Sequence, residues 1–539
     1  MVPFAPRSRT VVTPARSAAR ALRNALRAAC VSFCVTSAAK FASPSSVRCA
    51  WQLIIPGSAK PPGGFVVSDR SPGALFGSPR RSPTHATSPP SMTRPAFSMT
   101  RSPSKRPSSS KTIRIARQYR PAMPPALLER LRARGLVLPD YTGGGLVNVA
   151  ATMLDVLGAR DADDPPPLRG LDPGLAAGVR QVVIVLADGL GMGQLRVLAA
   201  HGDVPFIRSL LERADRGDRA QLIEATTIFP STTAAAITTV NTARTPQEHG
   251  NLAYFVWLEE FVQVTQMLRW GPAITRRGSF FDDAAVDPRE YVKVPSVHLR
   301  LRQRGGRSYV IEPEIFRQEA MTRMHAAEAD YRGYYLPSTM GVNLRDLLER
   351  REGDAPTYVY AYWAGIDSVA HIYGPGSAEH AMEAALFDLD LSRAFAGEAR
   401  GDTLAILTAD HGHAFTDPDK LVDLVADDQL RALLRNPIAG EPRFVFFHTD
   451  QPARVKEHLE RRYPSTFLLI DREEAIDAGL FGRGDPEVVR RRVGEVCGML
   501  TDDRAASIVR VEGQTFRHRG SHGGMTPAEM NIPVLAWRT

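Results

Sequence analysis

Residues 123–539 alternate short, almost continuous apolar runs with helical patterns. A strand that is buried on both faces gives such a run, whereas a half-exposed strand alternates apolar and polar residues. Amphipathic stretches at 378–395 and 451–462 separate some of the runs. We therefore predict an α/β protein with three layers, in which helices cover both faces of a mostly parallel central sheet. The predicted strands are 181–187, 221–228, 308–313, 357–364, 403–409, 443–448, 466–470 and 533–537.

Residues 1–122 have a different composition from the rest of the chain. They contain 20 Lys and Arg, 16 Pro and 20 Ser, but a single acidic residue, Asp69. Such a segment buries too little apolar surface to offset its chain entropy, which predicts a disordered, basic Ser/Pro/Arg-rich tail before one folded domain at 123–539. That domain has a net charge of −10, so the +9 of the whole chain comes from the tail. The overall basic charge therefore does not indicate specific nucleic-acid binding by the domain.

The sequence also indicates the cellular location of the protein. It contains no run of about 18 apolar residues, so we expect no membrane-spanning helix. Cys497 is the only cysteine of residues 123–539 and has no partner there for a disulfide, which fits a reducing compartment and a cytoplasmic location. Secretion is the alternative, because the small-apolar segment 28–39 follows several arginines in the manner of a signal peptide. The sequence leaves the oligomeric state open.

Three acidic residues stand just beyond three of the predicted strands, namely Asp188, Asp367 and Asp410. Because the carboxyl ends of parallel strands line one edge of a sheet, we expect these carboxylates to converge. His371 follows Asp367 by four residues, which places both side chains on one helical face, and His411 directly follows Asp410. Carboxylate and imidazole ligands in this proportion suit zinc or another divalent ion.

Two further motifs point to the same chemistry. His522 lies in the Gly-rich stretch "RGSHGG", and a Ser/Thr-rich turn within 228–250 leads into an Ala-rich helix. Such a turn can place a hydroxyl at a helix N-terminus, where free backbone N–H groups favour a phosphate. Each motif taken singly is more typical of a helix cap or of ordinary packing. Together with the carboxylates and histidines, they indicate a metal site that acts on phosphate.

With these motifs, the chain resembles the alkaline phosphatase superfamily, and most closely its nucleotide pyrophosphatase/phosphodiesterase (type I phosphodiesterase) branch. The resemblance covers roughly residues 181–537. The nucleophile of this family is a threonine, and the stretch from that threonine to a "PxxHG" signature matches 233–250 without a gap. The resemblance implies that Thr233 is the nucleophile and that two divalent ions, expected to be zinc, have one ligand set each: Asp188, Thr233, Asp410 and His411 for one, and Asp367, His371 and His522 for the other.

The resemblance further implies a hydrolase that cleaves small-molecule phosphate esters or nucleotides through a covalent phosphoryl-threonine. Residues 251–355 and 414–505 match the family only loosely, and we expect them to shape the substrate site. A phosphomonoesterase or phosphonate hydrolase of the same superfamily is one alternative, and an inactive metal-binding scaffold is another. The sequence has no Walker A loop, no G-x-S-x-G elbow and no complete dinucleotide fingerprint, which argues against other nucleotide-binding and hydrolase classes.

Overall fold

The computed structural model describes residues 125–284, 286–350, 353–397 and 401–539, and the tail predicted at 1–122 lies outside them. Strands are numbered β1–β18 in chain order. The described residues contain two seven-stranded sheets and two short two-stranded pairs. The central sheet consists of β1 (Gln181–Ala187), β2 (Ala220–Thr226), β6 (Arg307–Pro313), β7 (Asp330–Tyr334), β8 (Thr357–Trp363), β9 (Thr403–Thr408) and β18 (Asn531–Arg538).

The order of strands in the central sheet is β2-β18-β9-β1-β8-β6-β7. The pairings of β1 with β8 and β9, and of β6 with β7 and β8, are parallel, whereas β18 is antiparallel to both β2 and β9. Six strands therefore run in one direction and β18 runs in the other. Every residue of β1, β8 and β9 is buried, which explains their continuous apolar sequences. The prediction of a mostly parallel central sheet is confirmed.

Helices pack against the central sheet in two groups, and the members of each group contact one another. The three-layer α/β/α architecture is therefore confirmed. Within the described part of the chain, no helix is both long and apolar enough to cross a membrane. The first group is Met192–His201, Pro205–Asp215, Met340–Glu349 and Ala378–Ala394, and the second is Leu146–Val156, Thr233–Thr242 and Val297–Gln303.

The remaining helices are mostly short. The α-helices are Pro125–Arg132, Pro173–Ala176, Pro246–His249, Phe280–Ala284, Ala320–His325, Gly365–Tyr373, Asp428–Arg431, Pro452–Arg462, Arg472–Asp477, Pro486–Arg492 and Pro527–Met530. The 3₁₀ helices are Pro288–Glu290, Glu314–Phe316, Pro337–Thr339, Pro418–Lys420 and Leu424–Ala426.

The second seven-stranded sheet is antiparallel throughout and has its own apolar core. The predicted strands 443–448 and 466–470 pair here and not in the central sheet. An apolar run predicts a buried strand but does not encode its partner, so a second sheet could not be predicted from these runs. Its strands are β3 (Phe255–Leu258), β4 (Gln263–Gln266), β5 (Gly271–Pro272), β12 (Ala439–Glu441), β13 (Phe444–Phe447), β14 (Leu468–Asp471) and β15 (Val496–Met499). The short pairs are β10 (Ala414–Phe415) with β17 (Gly520–Ser521), and β11 (Val422–Asp423) with β16 (Ala506–Ser507).

Buried histidines lie close to the helix Thr233–Thr242. Nε2 of His298 is 3.0 Å from Oδ1 of Asn241, while neither ring nitrogen of His325 has a hydrogen-bond partner among the described residues. Burial lowers the pKa of His298 and of His325 to about 3. Both side chains are therefore neutral in the folded protein at every pH at which it is ordinarily handled.

These histidines should make the fold acid-sensitive. A histidine in the unfolded chain titrates near pH 6.5, so between about pH 6.5 and 3 the unfolded state binds protons that the folded state does not. We expect the free energy of unfolding to fall as the pH drops below 6.5, by about 1.4 kcal/mol per histidine at pH 5.5. Denaturant unfolding of His325→Gln at pH 7.5, 6.5 and 5.5 should show a shallower pH dependence than the parent. Parallel curves for the two proteins would contradict this account.

Candidate active site

The three acidic residues predicted to converge lie at the carboxyl ends of neighbouring strands. Asp188 directly follows β1, and Asp410 follows β9 by two residues. Asp367 lies in the first turn of the helix Gly365–Tyr373, which begins just after β8. Because β8, β1 and β9 are adjacent in the sheet, the three carboxylates meet at one edge.

One group of side chains surrounds Nε2 of His411. The Thr233 Oγ1 atom lies 3.0 Å from this nitrogen, Asp410 Oδ2 lies 3.3 Å from it, and Asp188 Oδ1 lies 3.6 Å from it. Both carboxylate oxygens are buried and have no hydrogen-bond partner among the described residues. A buried anionic oxygen without a partner is costly, and a bound cation would satisfy both oxygens at once. This donor set therefore fits a divalent metal ion.

A second group surrounds Oδ1 of Asp367. The Nε2 atom of His371 lies 3.4 Å from this oxygen, and the Nε2 atom of His522 lies 3.7 Å from it. The structure thus brings all seven residues of the predicted site together. Among the described residues, the groups here that could hold a metal ion are Asp367 with His371, His413 and His522, and Asp188 with Asp367 and His411, so Asp367 belongs to both.

The tautomers of the three histidines suit metal binding. The Nδ1 atom of His371 is 2.7 Å from the carbonyl oxygen of Gly520, and Nδ1 of His522 is 2.9 Å from that of Ser231. His411 makes the same contact with its neighbour Gly412 at 3.2 Å. A carbonyl oxygen only accepts hydrogen bonds, so each Nδ1 carries the proton and each Nε2 presents a lone pair to the cluster. Histidines that bind metals are oriented in this way.

The charges of the cluster also call for a cation. Burial, with the nearby carboxylates of Asp410 and Asp367, raises the pKa of Asp188 well above its ordinary value. Burial lowers the pKa values of His371 and His522. Among the described residues, the ion-pair partners of these three carboxylates are histidines, with no lysine or arginine. A metal ion would reverse the shift of Asp188 by stabilising its ionised form.

Thr233 is the first residue of the helix Thr233–Thr242, and its side chain is almost fully buried. The N–H groups of a first helical turn have no partner within the helix, so they favour an anion in front of them. The loop before the helix is tied to the loop of His522, because the Ser231 hydroxyl donates to the Gly524 carbonyl at 2.8 Å and accepts from the Gly523 N–H at 3.0 Å. Thr233 therefore presents its hydroxyl and a helix N-terminus to the same point.

Sequence reasoning missed three side chains of this cluster. The Tyr362 hydroxyl donates to Oδ2 of Asp188, and Nε2 of His413 lies 2.7 Å from Oδ1 of Asp367. The ring centroid of His518 is 4.7 Å from that of His371. The available signals were the alternating tyrosines of β8 and the second histidine of "DHGH". Neither signal distinguishes a residue of the site from a core residue.

A cavity of about 570 Å³ opens beside the cluster and is lined by Thr233, Asp367, His371 and His522. Its other walls come largely from the two segments expected to shape the substrate site. The polar side chains of these other walls are Tyr254, Gln266, Arg269, Thr275, Arg276, Glu441, Ser507, His518 and Ser521, and the apolar ones include Phe255, Leu268, Ile508 and Phe516. Burial raises the pKa of Glu441 to about 8.

Among solved structures, phosphonoacetate hydrolase from Sinorhizobium meliloti 1021 is 16% identical to this chain, with a TM-score of 0.48, and the match covers 66% of this chain and 89% of that protein. Murine ectonucleotide pyrophosphatase/phosphodiesterase 5 is 15% identical, with a TM-score of 0.47 and coverage of 66% and 87%. No curated protein sequence matches the chain significantly. The sequence model described as type I phosphodiesterase / nucleotide pyrophosphatase matches residues 182–524, which is more than half of the chain. The chain therefore belongs to the type I phosphodiesterase/nucleotide pyrophosphatase family of the alkaline phosphatase superfamily, and it is a phosphoester hydrolase.

Proposed function

We propose that this protein is a phosphodiesterase or nucleotide pyrophosphatase that uses Thr233 as nucleophile and two divalent metal ions. The observation that carries the proposal is the convergence of buried carboxylates and imidazole Nε2 atoms around a threonine hydroxyl at a helix N-terminus. Hydrogen bonds among these groups alone leave two buried carboxylate oxygens unsatisfied. A structural role for the cluster does not account for that arrangement.

One ion would be held by Asp188, Thr233, Asp410 and His411, and the other by Asp367, His371 and His522. Carboxylate and imidazole ligands favour zinc among the common divalent ions. Two ions at such a site neutralise phosphoryl oxygens and make a bound hydroxyl easier to deprotonate. His413 donates to Asp367 at 2.7 Å and would hold that carboxylate in place as a positioning residue.

Thr233 and the N–H groups of its helix have separate roles in the two steps of hydrolysis. The Thr233 oxygen gives up its proton to solvent and bonds to phosphorus while the bond from phosphorus to the leaving oxygen breaks. The leaving oxygen departs with the electron pair of that bond, and a phosphoryl-threonine ester remains. The N–H groups of the first turn of its helix face the phosphoryl oxygens as negative charge builds on them. Attack by water on the ester then returns the threonine hydroxyl and releases the phosphorylated product.

The proposal predicts a preference for diesters over monoesters. A monoester dianion carries one more negative charge than a diester, and an arginine beside the phosphate would be needed to match it. Arg269 donates to four backbone carbonyls, and Arg276 stacks over the Phe516 ring at 5.3 Å with its side chain about half exposed. Neither arginine is therefore committed to the phosphoryl position beside Thr233.

The test is the ratio of kcat/KM for two p-nitrophenyl substrates, the thymidine 5′-phosphate diester and the simple phosphate monoester, measured on protein of known metal content. We expect the diester and nucleotide pyrophosphates to react faster. A monoester preference of tenfold or more would make the protein a phosphomonoesterase instead. Adding a phosphonate to the substrates tests the remaining alternative, a phosphonate hydrolase. Inactivity of zinc-loaded protein on all four substrates would refute the proposal.

A further inference from the structure

Tyr254 is fixed in position beside the cluster by its backbone and by its neighbours. It lies just before β3, its N–H donates to a carboxyl oxygen of Glu441, and its carbonyl accepts from the N–H of Met267 at 2.9 Å. Its ring packs edge-on against Phe255, with centroids 4.6 Å apart. The side chain lines the cavity that also contains Thr233, Asp367, His371 and His522. A hydroxyl that is already held in place can bind a ligand without the loss of side-chain entropy that ordering a mobile group would require.

The hydrogen bonds of Gln266 determine the direction of the Tyr254 hydroxyl. Oε1 of Gln266 accepts from the backbone N–H of Arg269 at 3.0 Å, which fixes the orientation of the Gln266 amide. Its Nε2 therefore faces the Tyr254 oxygen, at 2.6 Å, and donates to it. The flipped amide would place an NH₂ group against an N–H group, donor against donor. The tyrosine oxygen is thus an acceptor in this contact, and its own proton is left for another partner.

We propose that Tyr254 is a catalytic residue whose hydroxyl donates a hydrogen bond to a phosphoryl oxygen of the substrate. Burial raises the pKa of Tyr254, so the proton stays on the oxygen at neutral pH. The donation from Gln266 polarises the hydroxyl and makes it a stronger donor. The three histidines of the predicted ligand set supply no donor of this kind, since they use their only N–H groups on backbone carbonyls. The inference rests on the proposed phosphoryl-transfer function and adds one contact to it.

Two substitutions test the assignment from opposite sides. Tyr254→Phe removes the donor and keeps the ring. Gln266→Glu keeps an acceptor for Arg269 but turns the second amide nitrogen into a carboxylate oxygen, which captures the Tyr254 proton and withdraws it from the cavity. Both variants should lower kcat for the p-nitrophenyl diester by at least about tenfold, and the double variant should be no slower than Tyr254→Phe, since both act through the same hydrogen bond.

Binding of inorganic vanadate, which imitates a pentacoordinate phosphoryl group, provides a readout that does not depend on turnover. Zinc-loaded Tyr254→Phe should bind vanadate at least about tenfold more weakly than the parent, with the same zinc content and the same melting temperature. Vanadate affinity and kcat within twofold of the parent would overturn the role of Tyr254, as would additive losses in the double variant. A parent protein that binds vanadate but cleaves no ester would contradict the proposed function while still allowing the Tyr254 contact to be judged.

Discussion

Thr233→Ala is expected to lower kcat for a diester by at least about 100-fold while the protein still folds and still binds metal. The reason is that the substitution removes the attacking oxygen and with it the covalent route, whereas the carboxylate and histidine ligands remain. The methyl group of the alanine leaves the first turn of the helix in place. The measurement is steady-state turnover at matched zinc content, together with trapping of a phosphorylated enzyme in acid-quenched parent protein and its absence in the variant.

The adjacent threonine supplies the matched control. Thr232 is the N-cap of the same helix and is fully buried, but its hydroxyl makes no capping hydrogen bond and the side chain is not among those that line the cavity. Thr232→Ala should therefore change kcat by only a few-fold. Thr233→Ser, which keeps a hydroxyl, should recover part of the lost rate. If Thr232→Ala were the inactive variant and Thr233→Ala the mild one, the nucleophile would be the neighbouring residue.

Asp188→Asn is expected to have opposite effects on stability with and without metal. Without metal, the carboxylate of Asp188 is buried beside those of Asp410 and Asp367, so its neutralisation relieves repulsion and should raise the melting temperature. With metal, the same change removes a charged ligand, so zinc should bind more weakly and stabilise the protein less. We expect bound zinc to fall from about two ions per chain toward one, and the diester rate to fall by at least about 100-fold.

Asp388→Asn controls for the loss of a buried carboxylate elsewhere. Asp388 is as buried as Asp188, but it accepts hydrogen bonds from the N–H groups of Phe206 and Ile207 and lies outside the cluster. Its substitution should leave zinc content and rate unchanged. The measurements are elemental analysis and melting curves before and after chelation and zinc reconstitution. The two-ion account fails if chelated protein, shown to be metal-free, keeps its full activity.

The local sequence determined most of the central sheet and the type of residues at the cluster. Strands buried on both faces give continuous apolar runs, as in β1, β8 and β9. An acidic residue that follows such a run marks the carboxyl end of the strand, and it can therefore be recognised in the sequence. The i, i+4 spacing of Asp367 and His371 is likewise a local property that a helix fixes. Family resemblance, and not this patterning, supplied Thr233 as nucleophile and the division of the ligands into two sets.

Only the tertiary structure decided how distant segments combine. The runs 443–448 and 466–470 entered a second sheet, and β18 entered the central sheet in reverse, because the partner and direction of a strand depend on long-range packing that a short apolar run does not encode. For the same reason the sequence did not reveal that Tyr362 reaches Asp188, that His413 reaches Asp367, or that Tyr254 and Gln266 form one hydrogen-bonded pair beside Thr233. Each of these contacts needs a particular register or strand order. The role of a hydroxyl or imidazole depends on its neighbours, and the tertiary structure determines those neighbours.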